Sequence, residues 1–277
     1  MAARAAAEVI DAHVHVWDRG RFSYPWIAAG SPLDRDVLPG ELRQVVAGQP
    51  VVGGLLVEAA NTPAEIPWLL LCAAQLPGQW GVIGSLPLDA ADAPEQIARW
   101  AADPRFRGVR LNWFEPRPET APLRPAMDAL ARAGLALDLL CNPEYLPEIS
   151  RFARDHADVS IVLNHFGGAQ PGRDSLAALE PFSRLETVRV KVSGFSCGAD
   201  QLRAALTRLD ELFGPGRMLF GSNYPLCLSR GAYAEVLALA LEAAGIWDEA
   251  WRAQLFTRTA CSVYRLQSSP EQETSPS

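Results

Sequence analysis

Val9-Ile10-Asp11-Ala12-His13-Val14-His15-Val16-Trp17 sets two histidines one residue apart at the end of an apolar run rich in β-branched residues. Alternate side chains of a β-strand share a face, so His13 and His15 are read as pointing the same way. Two imidazoles at a strand end can hold one metal ion or one anionic oxygen. The plainer reading of a His-x-His pair is chance, with one ring at a turn and the other merely exposed. The rest of the chain weighs for a site, because it places further polar residues at equivalent strand ends.

Strand-like and helix-like stretches alternate after this run. A long loop, Trp17 to Pro39, carries Tyr24-Pro25-Trp26; a loop of that length is uncommon unless it has a function. Its aromatics either cover a site or plug one end of the fold. A short helix is read over Pro39 to Ala47 and a second strand over Val51 to Val57, ending at Glu58. Thr62-Pro63-Ala64-Glu65 fits a helix start, with Thr as N-cap and Pro in the first turn. Further strands are read over Trp80 to Leu86, Phe106 to Leu111, Leu135 to Cys141, Val159 to Leu163, Val188 to Ser193 and Met218 to Phe220. Helices are read between them, over Ala93 to Ala101, Leu123 to Ala133 (closed by Gly134), Tyr145 to His156, around Ser175 to Leu185, and over Gln201 to Phe213. Ala232 to Ala243 and Asp248 to Tyr264 read as two last helices.

Eight strand–helix units of this kind point to a single-domain α/β fold, a (β/α)8 TIM barrel spanning residues 9–266. Residues 1–8 form an N-terminal extension in this reading, and 267–277, rich in Ser, Pro and Glu, a disordered tail. The strands are near-continuous Val/Leu/Ile runs, which suits parallel strands buried on both faces. An open doubly wound sheet would usually offer a Gly-rich turn after its first strand; this first strand ends in His-Val-His.

Composition narrows the function. An apolar content of 49% is ample for one large core, and a formal charge of −7 with no Lys/Arg-rich run argues against a nucleic-acid surface. No apolar stretch is long enough to span a membrane. Met1 to Ala7 is too short and too weakly apolar for a signal peptide. Five scattered cysteines with no Cys-x-x-Cys fit reduced thiols, and a cytoplasmic protein is expected.

A TIM barrel carries its active site at the C-terminal ends of its strands. Those ends offer His13 and His15, Glu58, Arg110 and Asn112, His165, Ser193 and Asn223. Neutral imidazole is a good ligand for zinc and similar ions, and its ordinary pKa also suits a general base or acid. The residues alone leave both roles open. His156 falls at a helix C-terminus and is read as structural. Asp11 is expected to bond backbone of the outer layer, and Lys191 to answer a buried acid such as Asp138. Glu58 either supplies an acid to the site or pairs with Arg110. Trp17, Tyr24 and Trp26 either line a substrate pocket or pack a barrel end.

Several stretches carry a resemblance. Ile10-Asp11-Ala12-His13-Val14-His15-Val16-Trp17-Asp18, Tyr24-Pro25-Trp26, Leu33-Asp34-Arg35-Asp36-Val37-Leu38-Pro39, Gly108-Val109-Arg110, Leu163-Asn164-His165-Phe166-Gly167-Gly168, Lys191-Val192-Ser193-Gly194 and Phe220-Gly221-Ser222-Asn223-Tyr224-Pro225 follow one another in the order and spacing of the amidohydrolase superfamily. The chain resembles its amidohydrolase-related (amidohydrolase 2) branch of TIM-barrel hydrolases, whose characterised members include sugar-acid lactonases of the fuconolactonase type. The resemblance covers nearly the whole chain. It implies a working set of the His-x-His pair, the strand-six His and a strand-eight Asp, which binds metal where there is one and serves as base for water. His13, His15 and His165 match the histidines, as catalytic residues and as ligands of a divalent metal such as zinc if one is used.

The Asp position holds Asn223, and Asn164 stands where Asp commonly precedes the strand-six His. A carboxamide cannot take a proton from water at neutral pH, so Asn223 is left to orient water or offer a weak carbonyl ligand. Weaker metal binding is expected from the lost charge, and a metal-free site is equally compatible. The reading favoured is a hydrolase opening a lactone or similar cyclic ester. Its partner is a small carboxylated or hydroxylated lactone, with Glu58, Arg110, Asn112, Ser193, Trp17, Tyr24 and Trp26 on the substrate side. Arg110 would hold a substrate carboxylate through its planar fork. No nucleic acid or membrane partner is expected, and a homo-oligomer is compatible with the sequence. The alternatives are a lyase, isomerase or decarboxylase using His as proton shuttle, and a binding protein that keeps the pocket without catalysis.

Overall fold

The structure, a computed structural model, describes residues 8–117, 119–171 and 175–267. Most of the expected N-terminal extension and nearly all of the expected tail fall outside these residues. Eight strands lie side by side in chain order, every neighbouring pair parallel. They are β1 (Val9–Val14), β2 (Val51–Val57), β3 (Gln79–Ser85), β4 (Phe106–Trp113), β5 (Ala136–Cys141), β6 (Ile161–Leu163), β7 (Val188–Val192) and β8 (Met218–Phe220). The Asn223 N–H donates to the His13 carbonyl (2.9 Å) and the His15 N–H to the Tyr224 carbonyl (2.7 Å), joining the end of β8 to β1. The result is a (β/α)8 barrel, as the strand–helix count requires.

The helices are α1 (Pro39–Val46), α2 (Ile66–Ala73), α3 (Ala93–Ala101), α4 (Arg124–Ala133), α5 (Leu146–Asp155), α6 (Ala199–Phe213), α7 (Tyr233–Ala243), α8 (Glu249–Ala253) and α9 (Thr259–Tyr264). Thr62 caps as read, its hydroxyl accepting from the Ala64 N–H, but the turn it starts is a 3-10 turn over Pro63–Glu65 that feeds α2. The segment after β6 departs from expectation: Ser175–Phe182 is 3-10 rather than α-helical, with Pro181 inside it. A proline there supplies no N–H to an α-helical ladder. The expected last helix is broken into α8, a π-turn at Gln254–Arg258 and α9. Among the described residues no helix is long and apolar enough to cross a membrane.

Inside the barrel, Ile10, Ala12, Leu55, Val57, Ile83, Ala136, Val162 and Leu219 pack with Ala260, Cys261, Val263, Tyr264 and Leu266. The latter group comes from α9 and the residues after it. It meets the end where the strands begin: Thr257 bonds the Glu8 carbonyl and Thr259 the Pro215 carbonyl, just before β1 and β8. Helix α9 is thus the floor of the barrel, and the polar strand ends face the opposite way.

One irregularity places the site. Opposite β2, the pairing runs from Asp11↔Gly54 to Val14↔Leu56, three steps on β1 against two on its neighbour. This is a β-bulge, and it turns the bulged strand locally. Strict alternation would put Asp11 and His13 on one face. Instead Asp11 bonds outward, accepting from the His13 and Ser222 N–H groups (3.2 and 2.8 Å) and from the Tyr233 hydroxyl of α7 (2.9 Å). The outward role expected for Asp11 holds, and the bulge is its cause.

Candidate functional site

His13 and His15 are buried, and their Nε2 atoms lie 3.1 Å apart. The partners assign their protons. His15 Nδ1 is 2.9 Å from the Val57 carbonyl, which can only accept, so His15 carries its hydrogen on Nδ1. A neutral His15 then has a bare Nε2, and His13 must donate to it from Nε2–H. That leaves His13 Nδ1 bare, and it faces a donor, Lys191 Nζ, at 3.4 Å. Both rings are neutral near pH 7. Burial is the main cause, pushing His13 well below its usual 6.5 and His15 down to about 3; the positive charges of Lys191 and Arg110 add to it.

His165 joins the pair from the end of β6, its ring centroid 4.4 Å from that of His13. It is half-buried, and its Nδ1 is 2.8 Å from the Ser193 hydroxyl. Burial, Arg110 and Lys191 hold its pKa well below 6.5. His165 and Phe166 both have positive φ (52° and 57°), so the chain turns through the left-handed region immediately after the strand. Two glycines let the rings sit where they do. A Cβ on Gly221 would lie 2.6 Å from the His13 Cβ, and one on Gly194, itself at φ +66°, 2.8 Å from His165 Nδ1.

Beneath the rings runs a buried polar chain. Tyr264 donates to Asp138 Oδ1 (2.7 Å), Asp138 Oδ2 touches Lys191 Nζ, and Lys191 faces His13. Lys191 and Asp138 are fully buried. The pairing expected for Lys191 is present, and it reaches the candidate site as well.

Beside the rings, the Glu58 carboxylate accepts from the Asn61 N–H (2.7 Å) and stands 3.6 Å from Arg110 Nε. An Arg110 terminal nitrogen also donates to the Glu58 carbonyl (3.2 Å). Of the two roles open to Glu58, the structure shows the pairing with Arg110. Asn61, which the sequence reading passed over, collects hydrogen bonds on its side-chain oxygen from Ser85 and Asn112, each at 3.3 Å. Its signal was slight: an Asn just past a strand end, held at φ 52°.

The aromatics of the first loop divide. Trp17 is fully buried and packs edge-on against Trp26, so it is barrel-end packing. Tyr24 is buried, its hydroxyl on Glu65 (3.3 Å). Glu65, also missed by the sequence reading, accepts from the Ala59 and Ala60 N–H groups, and burial raises it to about 7. Trp26 stays 45% exposed while its indole N–H holds the Ala59 carbonyl (2.8 Å), leaving it at the rim. His156 packs on Phe152 at the end of α5, away from the other three histidines. Asn223 adjoins His13 through its backbone, and its side-chain oxygen is buried without a hydrogen-bond partner, as are both side-chain polar atoms of Asn164. The five cysteines are unpaired.

The protons of this arrangement stand against a divalent ion shared by the His13–His15 pair. A metal-ligating imidazole normally donates its other N–H to a carboxylate or carbonyl. His15 does so, but His13 turns its second nitrogen to an ammonium group. Among the described residues no group of three or more His, Cys, Asp or Glu side chains is placed to hold a metal.

A parallel eight-stranded barrel with imidazoles gathered at its strand ends has the layout of a barrel enzyme. The family model described as Amidohydrolase matches residues 10–266, and the chain belongs to that family. Curated relatives include an L-fucono-1,5-lactonase of Burkholderia ambifaria, 29% identical over 93% of this chain and 95% of its own. An L-fucono-1,5-lactonase of Burkholderia multivorans is 32% identical, over 93% and 96%. Among solved structures, an amidohydrolase from Burkholderia multivorans with bound zinc superposes with a TM-score of 0.83 at 28% identity, covering 94% of this chain and all of that one.

Proposed function

We propose that the chain hydrolyses neutral, hydroxylated lactones of the sugar-acid type, with neutral imidazoles handling the proton. One observation carries this reading: three imidazoles kept uncharged by burial meet at the C-terminal face of the barrel. The L-fucono-1,5-lactonase relatives support the reaction class.

The lactone carbonyl oxygen takes the His13 Nε2–H, redirected from its neutral partner His15. Water adds its oxygen to the lactone carbonyl carbon as it loses a proton to His165 Nε2, while His165 Nδ1–H rests on the Ser193 hydroxyl. The ring C–O bond then breaks, and the proton passes from His165 to the leaving alkoxide oxygen. The balance is one water added and one hydroxy acid formed. Asn223 accepts a hydrogen bond from the water on its otherwise unpartnered oxygen, orienting it without taking its proton. The metal option raised by the resemblance has no part in these steps.

The same geometry supports hydroxylated over carboxylated substrates. Arg110 is already matched by Glu58, so a substrate carboxylate would have to displace an existing partner. Asn61, Ser85 and Asn112 offer donors and acceptors suited to hydroxyl groups. The test is acid release from a panel of hydroxylated 1,4- and 1,5-lactones and of carboxylated lactones, with and without a chelator. Turnover of the hydroxylated set that survives chelation is expected. Activity confined to the carboxylated set, or silence across the panel, overturns the assignment.

The pH dependence follows from the same rings. The base works only when neutral, and burial holds the folded pKa below the ordinary 6.5. Activity is therefore present above that depressed pKa and lost as pH falls through it. The acid limb of kcat/KM is expected below pH 6.5, with a level profile between about pH 7 and 8. An inflection at or above 6.5 would contradict a buried imidazole base.

A further inference from the structure

Lys191 is a fully buried cation whose charge the chemistry above does not use. Its two neighbours define what it can do. Asp138, braced by the Tyr264 hydroxyl, fixes the ammonium from one side, and His13 Nδ1 lies 3.4 Å away on the other. Asp11 and Arg110 are the other charged groups that act on the ammonium. The Asp11 carboxylate is turned outward and bonded to Ser222 and Tyr233, and Arg110 is matched by Glu58.

We propose that Lys191 is a positioning residue that locks His13 as its Nε2–H tautomer and so makes the His13–His15 pair a hydrogen-bond donor rather than a chelate for a divalent ion. The steric side already suits an ion. Two Nε2 atoms 3.1 Å apart are close to the separation that two ligands about 2.1 Å from one zinc can span. What blocks it is the proton. For both Nε2 lone pairs to face a metal, His13 must carry its hydrogen on Nδ1, pointing it at an N–H donor. An ammonium cannot accept that hydrogen, and its charge also repels a divalent cation. A carboxylate or carbonyl in its place would favour the opposite tautomer. The inference rests on the functional reading above only in giving His13 the substrate carbonyl as its eventual partner.

The test removes the lock without leaving a buried charge. Lys191→Met alone strands Asp138, so the double variant Asp138→Leu/Lys191→Met carries the experiment beside it; replacing a buried ion pair by apolar residues of similar volume is often tolerated. Three readouts are taken: ring-nitrogen NMR of histidine-labelled protein, with His13 assigned by its loss in His13→Gln; zinc binding to the purified protein by calorimetry; and the pH profile on the best lactone. In the unaltered protein His13 is expected as the Nε2–H tautomer with weak zinc binding. In the double variant zinc binds at least roughly tenfold more tightly and, once bound, moves the His13 hydrogen to Nδ1, in line with the effect typical of partners behind a ligand. In Lys191→Met, where Asp138 is kept, the profile shifts to higher pH as a neighbouring positive charge is lost. An Nδ1–H form of His13 already present in the unaltered protein, or unchanged tautomer and zinc affinity in the folded double variant, overturns the proposal. The first two readouts need no substrate, so a wrong substrate class would leave them intact and fail only in the lactone panel.

Discussion

His165→Ala is expected to lower kcat by roughly 10³-fold on the best lactone, with KM changed little, because it removes the group assigned to take the proton from water. Stability should not follow activity. The residue occupies the left-handed region at φ 52°, where a non-glycine backbone is strained. Its ring is half-buried, and among the described residues its side chain is hydrogen-bonded to Ser193. His165→Gly should then abolish turnover while keeping or raising the unfolding temperature, since glycine adopts this conformation without strain. Kinetics and thermal melts on both variants check this together. Activity within tenfold of the parent in His165→Ala would move the base to His15, the other ring with a bare nitrogen in reach.

Asp138→Ala is expected to destabilise the fold by about 3–5 kcal/mol, among the largest effects of any single change. Among the described residues the carboxylate is the anion touching the fully buried Lys191 ammonium, and it also accepts the Tyr264 hydroxyl. Removing it leaves a cation and a hydroxyl without their partner inside the barrel. Asp138→Leu/Lys191→Met should lose much less, because neither charge remains. Urea midpoints for the two variants make the comparison direct. A loss of under about 1 kcal/mol in Asp138→Ala would mean that Lys191 sheds its proton at little cost, and the buried pair would then not be a charged one.

The fold was legible because its signal is repetitive. Apolar strand runs, Pro in the first turn of most helices and Gly134 at the end of α4 recur on a regular schedule, and the eight strands paired in chain order form the barrel they imply. Element ends were less legible where local rules met tertiary ones. The strand read to Ser193 ends in ladder terms at Val192, and β6 shrinks to Ile161–Leu163. That His13, His15 and His165 would gather at one end of the barrel was legible from spacing and resemblance. Their protonation was not: the Lys191–Asp138 pair was readable, but no local pattern announces that Lys191 faces His13 or that the Val57 carbonyl meets His15. Asp11 shows the limit of period-two reasoning: its outward course needs a bulge that the sequence of β1 does not advertise. Asn61 was missed for a similar reason, its role arising from Ser85 and Asn112 on two other strands.

The floor of the barrel sets an order of assembly. His13 lies near the start of the chain, yet the groups that fix its proton arrive in the sequence Asp138, Lys191 and last Tyr264. On a ribosome, His13 would wait for α9 before acquiring its working form. A chain stopped short of Tyr264 would hold every imidazole of the site and still lack the brace that tunes them.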